Sequence, residues 1–351
     1  MNEGEVLVET NKNCEGKRIG VIGAGGWGTA LALLLVDSGA QVTLWSYTEE
    51  DAENINRLRE NCNFLPGFTI PETITATQDL EMAVDAHDLI LLAVPTPFMR
   101  GVLEKLKGIL KPSMYIVNAA KGIENGTLLT GIEMMEEILP PDFHRRLCVI
   151  SGPSFAREVA EKIPTAVVVA SRLEETAKAM QFVFSTYYFR VFINTDVIGV
   201  EYGGALKNVL AIATGISDGL GLGTNTRAAL ITRGLIEIAR LAVRKGANPL
   251  TLIGLSGLGD LILTCTGPLS RNRTVGYKIG RGSKLNAVLQ SMKMVAEGVE
   301  TTRSVHNLAE KLGVDVPIMD EVYRVLYEGK DPIQAVKDLT HIELGDEIRL
   351  L

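Results

Sequence analysis

Aromatic residues are scarce: Phe, Tyr and Trp make up 5% of the 351 residues. A core must therefore be filled by Leu, Ile, Val and Ala, and the 46% hydrophobic content suffices for one. Long basic runs are lacking, and the net charge is −7. A nucleic-acid partner thus has no electrostatic support. There are only four cysteines, Cys14, Cys62, Cys148 and Cys265. They show no metal-ligand spacing, so no metal is expected, and they fit a reducing cytosol better than a disulfide framework. No uncharged apolar run is long enough to span a bilayer, so no transmembrane segment is expected. Residues 1–16 are polar and acidic, lack the apolar core of a signal peptide, and read as a loose leader. The length suggests about two domains.

What is present begins at Lys17. Ile19 to Ile22 is a short apolar, β-branched run that reads as a buried strand. Gly23, Gly25 and Gly28 follow in G-x-G-x-x-G spacing. Residues 29–36 then read as an apolar helix that Gly39 can stop, and residues 41–45 as a second strand. Strand, glycine turn, helix and strand make a dinucleotide-binding unit. In it Gly23 permits the tight turn, Gly25 lets the backbone approach a pyrophosphate, and Gly28 lets helix and strand pack closely. The helix N-terminus offers free N–H groups to that pyrophosphate. At the end of the second strand, where NAD-preferring sites usually hold an acid, stands Ser46 followed by Tyr47. No Arg stands there for a 2′-phosphate, so the choice between NAD and NADP stays open.

Alternating strands and helices continue to about residue 193. The strand expected at residues 88–94 ends in Pro95-Thr96-Pro97-Phe98. Phe98 reads either as lying against the cofactor or as a core residue at a helix start. A helix is expected over residues 101–110. Lys121 follows the next strand, beside Gly122, either as a surface lysine or in the crevice where substrate meets cofactor. A small-residue turn, Ser151 to Ala156, can hold an anion or a carbonyl through N–H groups and Ser154.

From Asp196 almost everything reads as helix, which places a domain boundary near residue 194. The expected architecture is α/β: a Rossmann-like domain over 17–193, then an all-helical substrate and catalytic domain over 194–351. Asp196 is a plausible N-cap for a helix over 197–216. In that helix Gly203 and Gly204 lie one turn before Lys207, on its face. Each glycine costs roughly 1 kcal/mol against alanine, so something must approach closely there. Lys207 reads either as a snorkelling lysine or as a buried general acid tuned toward neutral pH. Residues 217–226 read as a loop. Asp260 reads as a helix cap or as the carboxylate that orients Lys207, with Thr264 one turn on. Ser270-Arg271-Asn272-Arg273 suits a phosphate, or is a solvated turn. Residues 294–301 read as a glycine loop.

Seven stretches match one family in order: GAGGWGTALA at Gly23, NAAKG at Asn118, SGPSFAREVA at Ser151, EYGGALKNVLAIATG at Glu201, GLGDLILTC at Gly257, SRNR at Ser270 and VAEGVET at Val295. Together they resemble glycerol-3-phosphate dehydrogenase, most closely the bacterial type that uses NAD or NADP. The resemblance covers the chain from about Lys17 past Leu326. It implies reduction of dihydroxyacetone phosphate to sn-glycerol 3-phosphate, which feeds phospholipid synthesis. It implies Lys207 as general acid/base, Lys121 touching substrate and cofactor, and Asp260 as the acid near the active lysine. For the substrate it implies Gly152, Ser154, Asn208, Thr264, Ser270 and the phosphate pair Arg271 and Asn272. For the cofactor it implies Gly26, Trp27, Ala156, Arg271, Val295 and Glu297. The departure is at Ser46-Tyr47, where many members carry an Arg. Members are commonly cytoplasmic homodimers, and the same is expected here. The rival readings are a two-domain dehydrogenase acting on a 3-hydroxy acid or sugar acid, and a dinucleotide sensor without turnover.

Overall fold

The computed structural model describes residues 12–85, 87–292 and 295–341. Its strands in chain order are β1 (Arg18–Ile22), β2 (Gln41–Trp45), β3 (Glu60–Asn61), β4 (Leu65–Thr69), β5 (Ile74–Thr77), β6 (Leu89–Leu92), β7 (Tyr115–Asn118), β8 (Leu147–Ser151), β9 (Thr165–Ala170) and β10 (Phe189–Asn194). β3 and β4 form a small separate pair, and the others make one sheet in the order β10-β9-β8-β7-β6-β1-β2-β5. The strands from β5 to β8 run parallel. β9 turns antiparallel to β8, and β10 follows β9. Strand order reverses between β1 and β6, and ligands of open α/β sheets bind outside the strand carboxyl ends at such a point.

Both faces of this sheet are covered, which is why β6 reads as the unbroken apolar run LILL and is buried throughout. Val21 and Leu44 pack with Leu31, Leu34 and Leu35 of helix Gly26–Asp37 on one face. Ile22 and Leu92 pack with Met99 and Leu103 of helix Thr96–Leu106 on the other.

After β10 the described chain is helical. Helix Val197–Gly219 is 23 residues long and buried almost all round. A helix that is apolar on every side must sit in the middle of a core, and the helices packed most extensively against it are Gly223–Arg244, Asp260–Thr266, Arg271–Gly280 and Glu297–Leu312. Its contact with Arg271–Gly280 is built on glycine. A Cβ at Gly215 would stand 2.2 Å from the Arg273 carbonyl oxygen, and one at Gly276 2.1 Å from that of Ile212.

Several expected boundaries move. Residues 1–11 of the expected leader lie outside the described residues, but Lys12 to Gly16 are pinned down. Cys14 is fully buried, and the Asn13 side chain donates to the Phe182 and Ser185 carbonyls. The helix expected to begin at Gly101 begins at Thr96, because Pro97 fits the first turn, where its missing N–H costs nothing. The loop expected over 217–226 shrinks to residues 220–222. Of the loop expected over 294–301, Met294 lies outside the described residues, and Glu297 onward is already helix. In each case glycines within or beside a helix suggested a break that tertiary packing overrides.

Among the described residues, Pro249–Thr266 is apolar and long enough to cross a bilayer by length and composition. Here it is broken into helix Pro249–Leu252, a π turn over Leu255–Gly259 and helix Asp260–Thr266. Its Asp260 is ion-paired to two lysines.

Candidate active site

The glycine turn after β1 is shaped by close contacts. Gly23 has φ 121°, and a Cβ there would stand 2.8 Å from the Ala93 carbonyl oxygen. A Cβ at Gly28 would stand 1.9 Å from the Gly23 carbonyl oxygen, so helix and strand can meet only without it. A Cβ at Gly26 would stand 2.7 Å from the Phe64 carbonyl oxygen. Gly25 differs: its φ is −70°, and a Cβ there would meet no heavy atom within 4 Å. Neither conformation nor internal packing demands glycine at that position. The space left open at the N-terminus of helix Gly26–Asp37 fits the pyrophosphate approach expected from the motif. Gly28→Ala is expected to weaken dinucleotide binding by roughly tenfold or more, about 1.4 kcal/mol, and to lower the thermal midpoint. Fluorescence titration and a thermal scan read the two effects.

Other expected cofactor residues line the same edge. Trp27 donates from Nε1 to the Ala119 carbonyl at 3.1 Å. Ala156 starts the short helix beside Gly26. Ser46 is buried at the end of β2, and Tyr47 is 80% exposed. Beside them a groove of about 580 Å³ brings Tyr47 and Thr48 together with Glu49, Asp79 and Lys105. Phe98 is in the first turn of its helix and 59% exposed, so its reading as a core residue is excluded. Val295 is exposed, and its carbonyl accepts from Arg271 Nη1 at 2.7 Å. Glu297 opens helix Glu297–Leu312, and burial raises its pKa.

Three charged side chains from distant parts of the chain meet at one point. Lys207 Nζ donates to Asp260 Oδ1 at 2.6 Å and to Thr264 Oγ1 at 2.7 Å. Lys121 Nζ donates to Asp260 Oδ2 at 2.6 Å and to the Gly152 carbonyl at 3.1 Å. Lys207 and Asp260 are buried, so Lys207 does not snorkel to the surface. Lys121 is only 14% exposed at its side chain, so it is not a surface lysine. Burial lowers the Lys207 pKa to about 8; the Asp260 charge opposes this, and the Lys121 charge adds to it. Asp260 is no helix cap. The π turn before it already has helical geometry, and Gly259 sits at φ −60°, ψ −50°, so the carboxylate is left to the lysines.

The glycines beside Lys207 explain how the cluster closes. A Cβ at Gly203 would stand 2.8 Å from the Ser256 carbonyl oxygen and 3.1 Å from the Gly257 Cα. The π turn that delivers Asp260 therefore lies directly on the helix that carries Lys207. A Cβ at Gly204 would stand 2.6 Å from Ser151 Oγ and 3.7 Å from the Lys121 stem. Gly152 has φ 141°, and Ser154 Oγ donates to its carbonyl at 3.0 Å.

The SRNR segment is the start of a helix rather than a solvated turn. Ser270 caps helix Arg271–Gly280 by accepting from the Arg273 N–H at 3.2 Å. Arg273 is spent on Asp218. Asn272 is buried, donates to Asn208 Oδ1 at 2.9 Å and accepts from the Gly298 N–H at 3.0 Å. Arg271 donates from its guanidinium to the Val295 carbonyl. Two residues that the sequence reading did not single out complete the surroundings: Asn118, at the end of β7, and Glu201, in the helix of Lys207. The available signal for Glu201 was an acid inside an otherwise apolar helix, where it must have partners.

Comparison with known proteins covers both halves of the chain. The family profile described as NAD-dependent glycerol-3-phosphate dehydrogenase N-terminus matches residues 18–177, and the corresponding C-terminus profile matches residues 196–337. The chain is 51% identical over 335 residues to glycerol-3-phosphate dehydrogenase [NAD(P)+] of Syntrophobacter fumaroxidans, covering 95% of this chain and 98% of that one. It is 54% identical over 331 residues to that of Geobacter sulfurreducens, covering 94% and 99%. The crystal structure of glycerol-3-phosphate dehydrogenase from Coxiella burnetii superposes with a TM-score of 0.87 at 41% identity, covering 93% of this chain and 99% of that one. With both halves matched and nearly the full length covered, the chain belongs to the NAD-dependent glycerol-3-phosphate dehydrogenase family.

Proposed function

We propose that this chain reduces dihydroxyacetone phosphate to sn-glycerol 3-phosphate with NADH or NADPH, using Lys207 as the general acid. The observation that carries the reading is the buried cluster of Lys207, Asp260 and Lys121. A bound nicotinamide supplies the hydride to the ketone carbon. As that carbon is reduced, negative charge grows on its oxygen, and the Lys207 ammonium stabilises the charge and gives up its proton. Asp260 orients the ammonium and partly offsets the cost of burying it. Lys121 adds a second positive charge beside the first and helps hold substrate against cofactor. Arg271, fixed by the Val295 carbonyl, suits the substrate phosphate, with Asn272 and Ser270 beside it. Binding at the phosphate, away from the reacting carbon, keeps the ketone in line.

Family membership also supports a cytoplasmic homodimer whose product feeds membrane phospholipid synthesis. Ser46 and Tyr47 favour neither cofactor by charge.

The test is NADH and NADPH oxidation with dihydroxyacetone phosphate, run beside unphosphorylated dihydroxyacetone. Turnover is expected with the phosphate ester alone, and the ratio of the two cofactors then fixes the preference. Folded protein that binds dinucleotide but turns over neither ketone would overturn the reading in favour of a sensor. Turnover of 3-hydroxy acids or sugar acids instead would favour the rival dehydrogenase.

A further inference from the structure

Glu201 is a carboxylate with no part in the chemistry above, yet it joins the two elements that carry the lysines. It lies on helix Val197–Gly219, six residues before Lys207, which is about 9 Å along the axis. Its side chain reaches into the sheet domain. There it accepts from Thr130 Oγ1, from the Ile132 N–H at 2.9 Å and from Asn118 Nδ2 at 3.3 Å. Thr130 is the N-cap of helix Gly131–Ile138, so the carboxylate sits at the positive end of that helix. A Cβ at Gly131 would stand 2.2 Å from Asn118 Nδ2 and 3.3 Å from Glu201 Oε1, so these three groups interlock.

Asn118 carries the connection onward. It is the last residue of β7. Its Oδ1 accepts from the Ala120 N–H at 3.0 Å, and its Nδ2 donates to the Ala120 carbonyl at 3.2 Å. One side chain thus clasps the residue before Lys121. A slack turn there would let the Lys121 ammonium drift from Asp260.

We infer that Glu201 is a positioning residue for the reaction: from the helix of Lys207 it holds, through Asn118, the turn of Lys121, and so sets the spacing of the two ammonium groups on Asp260. The role rests on the dehydrogenase reading above. A buried carboxylate is costly even with good partners, and burial pushes the Glu201 pKa up to about 7. An apolar residue would join the domains at lower cost. What an apolar residue lacks is an acceptor for the Thr130 hydroxyl, the Ile132 N–H and Asn118, and of these only Asn118 leads on to Lys121.

The experiment is a double-mutant cycle on kcat/KM for dihydroxyacetone phosphate, with Glu201→Met, Lys121→Met and the pair. Asn118→Ala serves as a second variant, because it cuts the same link while leaving Glu201 bonded to Thr130 and Ile132. Glu201→Met is expected to lower kcat/KM by roughly tenfold in the native background and by less than about twofold when Lys121 is already gone. Asn118→Ala should show the same dependence. Glu201→Gln should restore most of the activity, because Asn118 and Ile132 both donate to Oε1, an acceptor that glutamine keeps. The alkaline limb of the pH profile should also move up in Glu201→Met, because the nearby Lys121 charge lowers the Lys207 pKa, whereas Asp260 and Glu297 raise it. Equal losses in both backgrounds with an unmoved pH profile would mean a purely structural joint and overturn the inference. A Lys121→Met protein with native activity would instead overturn the role given to Lys121 itself.

Discussion

Lys207→Met is expected to lower the rate of ketone reduction by roughly 10²–10⁴-fold, the usual loss when a general acid is removed, while dinucleotide affinity stays native. The lysine is buried and bonded to Asp260 and Thr264, so methionine keeps most of its packing and loses the proton. The same group gives the reaction opposite pH dependences in its two directions. Reduction needs the charged ammonium, so its rate should fall as pH rises through about 8. Oxidation of glycerol 3-phosphate needs the neutral amine as base, so its rate should rise through the same region. The main cause is burial, which disfavours the charged form, and the Asp260 charge limits the shift. Asp260→Asn removes that opposing charge, so the limb should move to lower pH. Initial rates in both directions across a pH series check all three signs. A limb that stays in place in Lys207→Met would assign it to another group.

Gly203→Ala is expected to lower kcat by roughly 10²-fold, while Gly204→Ala next to it costs little. Helix propensity favours alanine at both sites by about 1 kcal/mol. Overpacking opposes it by about 1–3 kcal/mol, and the neighbour decides the balance. At Gly203 the neighbours are the Ser256 carbonyl and the Gly257 Cα, which belong to the turn leading directly to Asp260. Backbone cannot rotate away, so the turn shifts and carries the carboxylate with it. At Gly204 the closest atom is Ser151 Oγ, a short side chain that makes no hydrogen bond and can turn aside. Stopped-flow or steady-state kcat with thermal midpoints separates the two. Equal activity in both variants would show that the π turn yields more easily than its contacts imply.

The parts legible in the sequence were those fixed by local chemistry. The β1, glycine turn, helix and β2 unit could be read because its glycine spacing and both strands lie in one short stretch, although Gly23 and Gly26 are also pressed by the distant Ala93 and Phe64. Strand β2 emerged at its expected limits, between the turn at Gly39 and Ser46. The lysine cluster was only partly legible. Lys207, Lys121 and Asp260 could each be suspected from position, but their meeting depends on a sheet, a long helix and a π turn folding together. The misreading of Asp260 as a possible cap has the same origin, since an acid before an apolar helix looks like a cap until the preceding turn proves helical. Glu201 and Asn118 escaped notice because their significance lies in partners far along the chain: Asn118 and Glu201 are 83 residues apart.

One consequence of the cluster lies in counting protons. An ammonium group has three N–H bonds. Lys207 commits two of them to Asp260 and Thr264, and Lys121 commits two to Asp260 and Gly152. Thr264 cannot reverse its role, because its own hydroxyl proton goes to the Asp260 carbonyl at 2.6 Å. Each lysine is thereby reduced from a freely spinning cation to a single aimed donor. A ketone oxygen would then meet two fixed directions rather than a diffuse positive field, and the angle between them would fix the plane of the carbonyl. Half a turn about the C=O axis keeps both bonds, so the handedness of the alcohol would be written jointly in these two aimed donors and in the side on which the phosphate arm is held.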